Sequence, residues 1–110
     1  MANKKKIKQN SIRITVTGCP YETTDIFVCG DTDELGNWDA KFAKKMQNDS
    51  DGKCSLTVKP TNDGTIRYKY LSAQDWEYVE CDANGGYVLN REATIWDKNQ
   101  TGDYIVRFKI

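Results

Sequence analysis

The chain has 110 residues, 38% of them hydrophobic and 29% charged, which suits one domain with a modest core and leaves no room for two. Lysine plus arginine and aspartate plus glutamate each total 16, but residues 1–10 hold four lysines (Lys4, Lys5, Lys6, Lys8) and no acid, so the remainder carries 12 bases against 16 acids. That acidic body is a poor phosphate binder and argues against a nucleic-acid domain, and no run nears the ~18 apolar residues of a membrane helix.

The elements read as short strands between turns. Residues 1–10 form a flexible basic segment, and one domain spans 11–110. Ile12, Ile14 and Val16 alternate with Arg13, Thr15 and Thr17, the period of a strand with one wet face. Gly18-Cys19-Pro20 ends it. Ile26 to Cys29 is a continuous apolar run stopped by Gly30, hence a central strand. Asp31 to Asp39 is a loop rich in Asp, Gly and Asn. Lys41 to Met46 fits either a short strand or one helical turn. Asn48 to Gly52 is a turn. Cys54, Leu56 and Val58 alternate with polar residues, and Asp63-Gly64 signals a hairpin into a strand where Ile66, Tyr68 and Tyr70 alternate with Arg67 and Lys69. Trp76 to Val79 is a short strand candidate, Asp82 to Gly86 a turn, and Ala93 to Trp96 and Tyr104 to Ile110 close the chain. Seven to eight strands with no sustained 3.6-residue period predict an all-β protein, an antiparallel β-sandwich of immunoglobulin-like architecture.

Little in the chain carries reaction chemistry. There is no histidine, which removes the commonest general base, the histidine-activated nucleophiles and the usual zinc ligand. The four cysteines (Cys19, Cys29, Cys54, Cys81) contain no C-x-x-C pair, so a thiolate zinc site has no support. Two disulfides are open to them in an oxidising compartment, with three connectivities; free thiols, several packed as small apolar residues, are expected. The acidic turn Asp49-Ser50-Asp51-Gly52 lacks the later ligands of a calcium loop. The carboxylates sit in solvated turns, and no glycine-rich phosphate loop occurs. The expectation is a non-catalytic chain with no cofactor and no metal.

The aromatics say more. Trp38 lies in Glu34-Leu35-Gly36-Asn37-Trp38-Asp39 and Trp76 in Gln74-Asp75-Trp76-Glu77, both polar loops. An indole there is either a lid on the edge of the core or an exposed plate. Flat rings beside amides and carboxylates suit a sugar: the plane stacks on the C–H face of a pyranose and the polar groups bond its hydroxyls.

Phe27-Val28-Cys29-Gly30, then Leu35-Gly36-Asn37-Trp38-Asp39, resembles the signature of the family 20 carbohydrate-binding modules, the starch-binding domains. Arg67-Tyr68-Lys69-Tyr70, Trp76-Glu77 and Asn90-Arg91-Glu92 are similar to later blocks of the same family, in the same order. The resemblance implies binding of α-1,4-glucan (starch, glycogen, maltooligosaccharides, cyclodextrin) on Trp38 and Trp76, with Lys69, Glu77 and Asn90 bonding hydroxyls. It implies as partner an attached or associated amylolytic or glycogen-metabolising enzyme. The chain departs from the pattern in three places. Twelve residues separate Glu77 from Asn90, a longer loop than usual. Cys54 stands where a core tryptophan is usual. A second sugar site is reduced to Tyr21, because the turn 47–53 has no aromatic. The alternative is a glycogen-sensing regulatory or protein-interaction β-sandwich domain. With no apolar stretch after the first lysines, the expected location is cytoplasmic, or extracellular for a domain excised from a secreted enzyme. Neither nucleic acid nor membrane is expected as a partner.

Overall fold

A computed structural model describes residues 11–18, 25–48, 53–95 and 100–109. The basic segment 1–10, the second-site candidate Tyr21, Cys19, the acidic turn 49–52 and Trp96 lie outside the described residues. The strands are β1 (Ile12–Gly18), β2 (Phe27–Gly30), β3 (Lys44–Lys45), β4 (Gln47–Asn48), β5 (Cys54–Val58), β6 (Thr65–Leu71), β7 (Glu80–Cys81), β8 (Arg91–Thr94), β9 (Asp103–Tyr104) and β10 (Arg107–Phe108). One sheet has the order β4-β5-β1-β9, the other β3-β2-β6-β8, and β10 pairs with β7. The expected all-β sandwich is present.

Ten strands replace the expected seven or eight because two segments change sheets. β3 pairs with β2, and β4, one residue later, pairs with β5. The pivot Met46 is buried and its N–H donates to the Ile26 carbonyl at 2.8 Å. Likewise β9 pairs with β1 and β10 with β7, with Ile105 buried between them. Among the described strand pairs, β1–β9 is parallel and the others are antiparallel. A chain that crosses a sandwich at the sheet edge can meet its new neighbour in either direction.

Between the sheets lies the core that the alternation foretells: Ile12, Ile14 and Val16 meet Val28, Ile66, Tyr68 and Tyr70. Burying each of these side chains contributes about 1.5–3 kcal/mol. Tyr68 and Tyr70 pack edge to face, their ring centroids 5.6 Å apart. The outer face of the β2–β6 sheet is not wet, however. Cys29 and Leu71 are roofed there by Ala40 and Ala43 in a second small cluster. The segment that forms this roof carries Trp38, and Gln74, from the loop that carries Trp76, donates its side-chain N–H to the Ala43 carbonyl at 2.9 Å.

Candidate functional site

Each residue of the Leu35–Asp39 block has a mechanical task. Thr32 caps a 3₁₀ turn at Asp33–Leu35, its hydroxyl accepting from the Leu35 N–H at 3.2 Å. Leu35, fully buried, anchors the turn in the main core. Gly36, Asn37 and Trp38 then take positive φ values of 85°, 51° and 67°. A Cβ on Gly36 would lie 2.8 Å from the Asp39 carbonyl oxygen. Asparagine tolerates this left-handed region, whereas for tryptophan it costs about 1–2 kcal/mol. The strained residue is held in place by the Trp38 N–H donating to the Gly30 carbonyl at 2.8 Å and the Asn37 N–H donating to that of Thr32 at 3.0 Å. Gly30 itself has no room for a side chain, since a Cβ there would fall 2.4 Å from the Arg67 carbonyl oxygen and 3.0 Å from the Leu35 side chain. Asp39 caps the next 3₁₀ turn, Ala40–Phe42, by accepting from the Lys41 N–H.

The second plate is built in the same way. Leu71 bridges Val79 and closes the loop between them. Asp75 accepts from the Glu77 N–H at 2.9 Å and starts a 3₁₀ turn at Trp76–Tyr78. This turn replaces the strand expected at Trp76 to Val79: the aspartate cap satisfies the first donors of a helical turn, and the chain resumes pairing only at Val79. Trp38 is half-buried and Trp76 is 38% exposed. Their ring centroids lie 6.3 Å apart with the planes tilted by 33°. The Trp76 indole N–H donates to the Trp38 carbonyl at 3.3 Å and ties the loops together. The two rings border an open cleft of about 520 Å³, whose edge is set with Asn37, Asp39, Lys41, Gln74 and Asp75. Flat apolar plates at an angle, rimmed by donors and acceptors, can seat a non-planar polyol.

The other predicted residues are placed differently. Glu77 and Asn90 are exposed, and neither lines this cleft. Lys69 is only 5% exposed, and its ammonium lies 3.7 Å from the centroid of the Tyr87 ring. A strand position on the face opposite Tyr68 and Tyr70 looks wet in the sequence; here the Tyr87 ring covers it. Tyr87 was missed by sequence reasoning, and so were the rim residues Asn37, Lys41, Gln74 and Asp75. The available signal for Tyr87 was an aromatic directly after Gly85-Gly86 in a polar loop. Arg91, next to Asn90, holds the buried Glu80 carboxylate through contacts of 2.7–3.3 Å and so serves the fold.

Cys29, under the roof, is a packing residue: burial, with the Asp39 charge added, pushes its thiol up to about 11. A second hollow of about 420 Å³ lies by Tyr68, Arg91 and Asp103. Its charged groups are already paired. Asp103 accepts from the Tyr68 and Tyr70 hydroxyls, each at 2.6 Å, and faces Arg91 at 3.6 Å, while Glu92 meets Arg67 at 3.2 Å. Among the described residues, no group of three or more His, Cys, Asp or Glu side chains is placed to hold a metal ion.

A family model described as "starch binding domain" (family 20 carbohydrate-binding modules) matches residues 9–105. No curated protein sequence matches the chain. Among solved structures, a glycoside hydrolase family 15 glucoamylase from Hypocrea jecorina is 19% identical with a TM-score of 0.56, and the match covers 92% of this chain and 18% of that one. A glucoamylase from Hormoconis resinae is likewise 19% identical with a TM-score of 0.55, covering 88% and 17%. The family 20 module of a maltotetraose-forming amylase from Pseudomonas saccharophila STB07 is 12% identical with a TM-score of 0.56, covering 86% and 99%. At these identities the likeness is one of fold. The chain spans under a fifth of the length of either glucoamylase and nearly the whole of the Pseudomonas module.

Proposed function

Because the chain belongs to the starch-binding domain family, we propose that it is a non-catalytic module that binds α-1,4-glucan by stacking neighbouring glucose rings on Trp38 and Trp76. The observation that carries this reading is the pair of indoles 6.3 Å apart and tilted by 33° on an open cleft. An α-1,4-glucan coils, so its successive sugar faces are inclined to one another. A tilted pair can meet two of them, whereas coplanar plates would suit a flat β-glucan. Asn37, Lys41, Gln74 and Asp75 at the rim supply hydroxyl partners. Glu77 and Asn90, exposed outside the cleft, would bond a longer oligosaccharide that runs past it.

The rings are set before ligand arrives, which limits the ordering cost of binding. Two stacking contacts and a few hydrogen bonds support about −5 to −7 kcal/mol, a Kd of ~10–200 μM. Retention on granular starch would then come from many sites on the polymer, or from an attached amylolytic or glycogen-metabolising enzyme.

Affinity electrophoresis in starch, glycogen and cellulose gels tests the reading. Retardation by the first two, relieved by β-cyclodextrin and absent with cellulose, is expected. Trp38→Ala and Trp76→Ala should each abolish it while unfolding free energy falls by no more than about 2 kcal/mol. Retention by cellulose, or undiminished retention of Trp38→Ala on starch, would sink the proposal. Glucan-independent capture of a partner protein would favour the protein-interaction reading.

A further inference from the structure

The contact between Lys69 and Tyr87 has no part in the two-indole site. On β6, Ile66, Tyr68 and Tyr70 enter the main core, so Arg67, Lys69 and Leu71 share the opposite face. Lys69 stands across from Cys29 on β2, and Cys29 and Leu71 pack under Ala40 and Ala43. Leu71 also bridges Val79. Lys69 is therefore one pleat repeat, about 6.8 Å, from the residue on which both tryptophan-bearing loops close.

Lys69 is 5% exposed and Tyr87 is 72% exposed, with the ammonium 3.7 Å from the ring centroid. Among the described residues, the ring is the partner of that ammonium, and no carboxylate is paired with it. A cation above a ring face is attracted by the ring's quadrupole, more strongly once water is excluded. A molecule approaching this face meets the tyrosine before the charge. The ring is also delivered by a fixed turn. The Asp82 carboxylate accepts from the Asn84 N–H at 2.9 Å and the Gly86 N–H at 2.7 Å, and the Asp82 N–H donates to the Gly86 carbonyl at 3.0 Å. Gly85 takes a φ of 82°. Tyr87 follows directly.

From this geometry we infer that Tyr87 is a third sugar plate, with one face on Lys69 and the other open to a glucose beyond the pair held by Trp38 and Trp76. Lys69 is then a positioning residue that fixes the plane of Tyr87 instead of donating to the sugar itself. The inference rests on the α-glucan reading and assigns the residue that makes the site longer than two sugars.

Titration calorimetry with maltose and with maltoheptaose tests it on Tyr87→Ala, Tyr87→Phe, Tyr87→Leu, Lys69→Met, the Tyr87→Ala/Lys69→Met pair and Trp38→Ala. Tyr87→Ala should weaken maltoheptaose roughly tenfold and maltose by no more than about twofold. Tyr87→Phe, which keeps the ring, should bind maltoheptaose within about twofold of the parent, and Tyr87→Leu, which removes the ring but keeps bulk, should show the alanine loss and serves if the alanine variant misfolds. Lys69→Met should weaken maltoheptaose a few-fold in the parent and not at all once Tyr87 is alanine. Parent-level or tighter maltoheptaose binding by Tyr87→Ala overturns the inference. So does an equal Lys69→Met loss in both backgrounds, which would make lysine the sugar donor and the ring its cover. If Trp38→Ala loses maltose while Tyr87→Ala keeps both ligands, the Tyr87 role alone fails. Parent-level binding by Trp38→Ala rejects the glucan site itself.

Discussion

Trp38 holds its indole at a φ of 67°, and the loop supplies the hydrogen bonds that keep it there. Backbone strain of this kind persists where the surroundings over-determine a residue, and here it aims a ring into a cleft. Trp76 depends on the same residue through its indole N–H. Trp76→Phe keeps a ring and loses that donor. Its affinity for β-cyclodextrin should fall about two- to tenfold, as expected for one neutral hydrogen bond, which calorimetry would read; an unchanged affinity would show that the bond does not set the ring. At this scale the sequence marked both indoles as sitting in polar loops and left lid and plate open; the fold sets them side by side, ring centroids 6.3 Å apart, with Trp76 38% exposed. The burial of Lys69 was not legible. Its ammonium is covered by the ring of Tyr87, brought in from a loop eighteen residues further on, and strand alternation carries no trace of that cover.

The loop elements are built from caps more than from propensity. Thr32, Asp39 and Asp75 each start a three-residue 3₁₀ turn, so the acidic residues beside the tryptophans serve the backbone first. Gly36→Ala would place a Cβ against two carbonyls at a φ of 85°. It should lower unfolding free energy by about 2–4 kcal/mol, measured by urea denaturation. The turn at Asp82 gives a pH dependence. N–H groups of Gly86, then Asn84, hold its carboxyl below the ordinary value of 3.8. A depressed carboxyl contributes stability that is present above the unfolded value and lost as pH falls through the folded one. Amide exchange at Asn84 and Gly86 should therefore be flat with pH above about 4, once intrinsic rates are removed, and quicken on acidification below 3.8. Asp82→Asn should abolish that step. The turn itself was readable from Asp82 to Gly86, whereas the helical turn at Trp76 was read as a strand. Three residues are too few to show a period, and the Asp75 cap decided the outcome.

Across the molecule, one buried polar network joins β6, β7, β8 and β9. Glu80, 3% exposed, accepts from Arg91 and from the Tyr70 N–H at 3.0 Å. Asp103 accepts from both core tyrosines. Burial pushes the Tyr68 and Tyr70 hydroxyls well above their ordinary range, aided by the Asp103 charge. Removing one member leaves a buried charge without its partner. Arg91→Met should cost about 3–5 kcal/mol in urea unfolding, and adding Glu80→Met should recover part of that loss. A single loss under 1 kcal/mol would mean that water already serves the carboxylate.

The sequence alone determined the all-β class, the inward set Ile12, Ile14, Val16, Ile66, Tyr68 and Tyr70, and the resemblance that the family match upholds. Each of these is written in local order, in side chains two residues apart or in a contiguous block. Tertiary structure alone decided the sheet changes at Met46 and Ile105, the burial of Lys69 beneath Tyr87, and the 33° tilt of the indoles. These depend on contacts between residues far apart in the chain, and such contacts exist only after the loops close over the sheet.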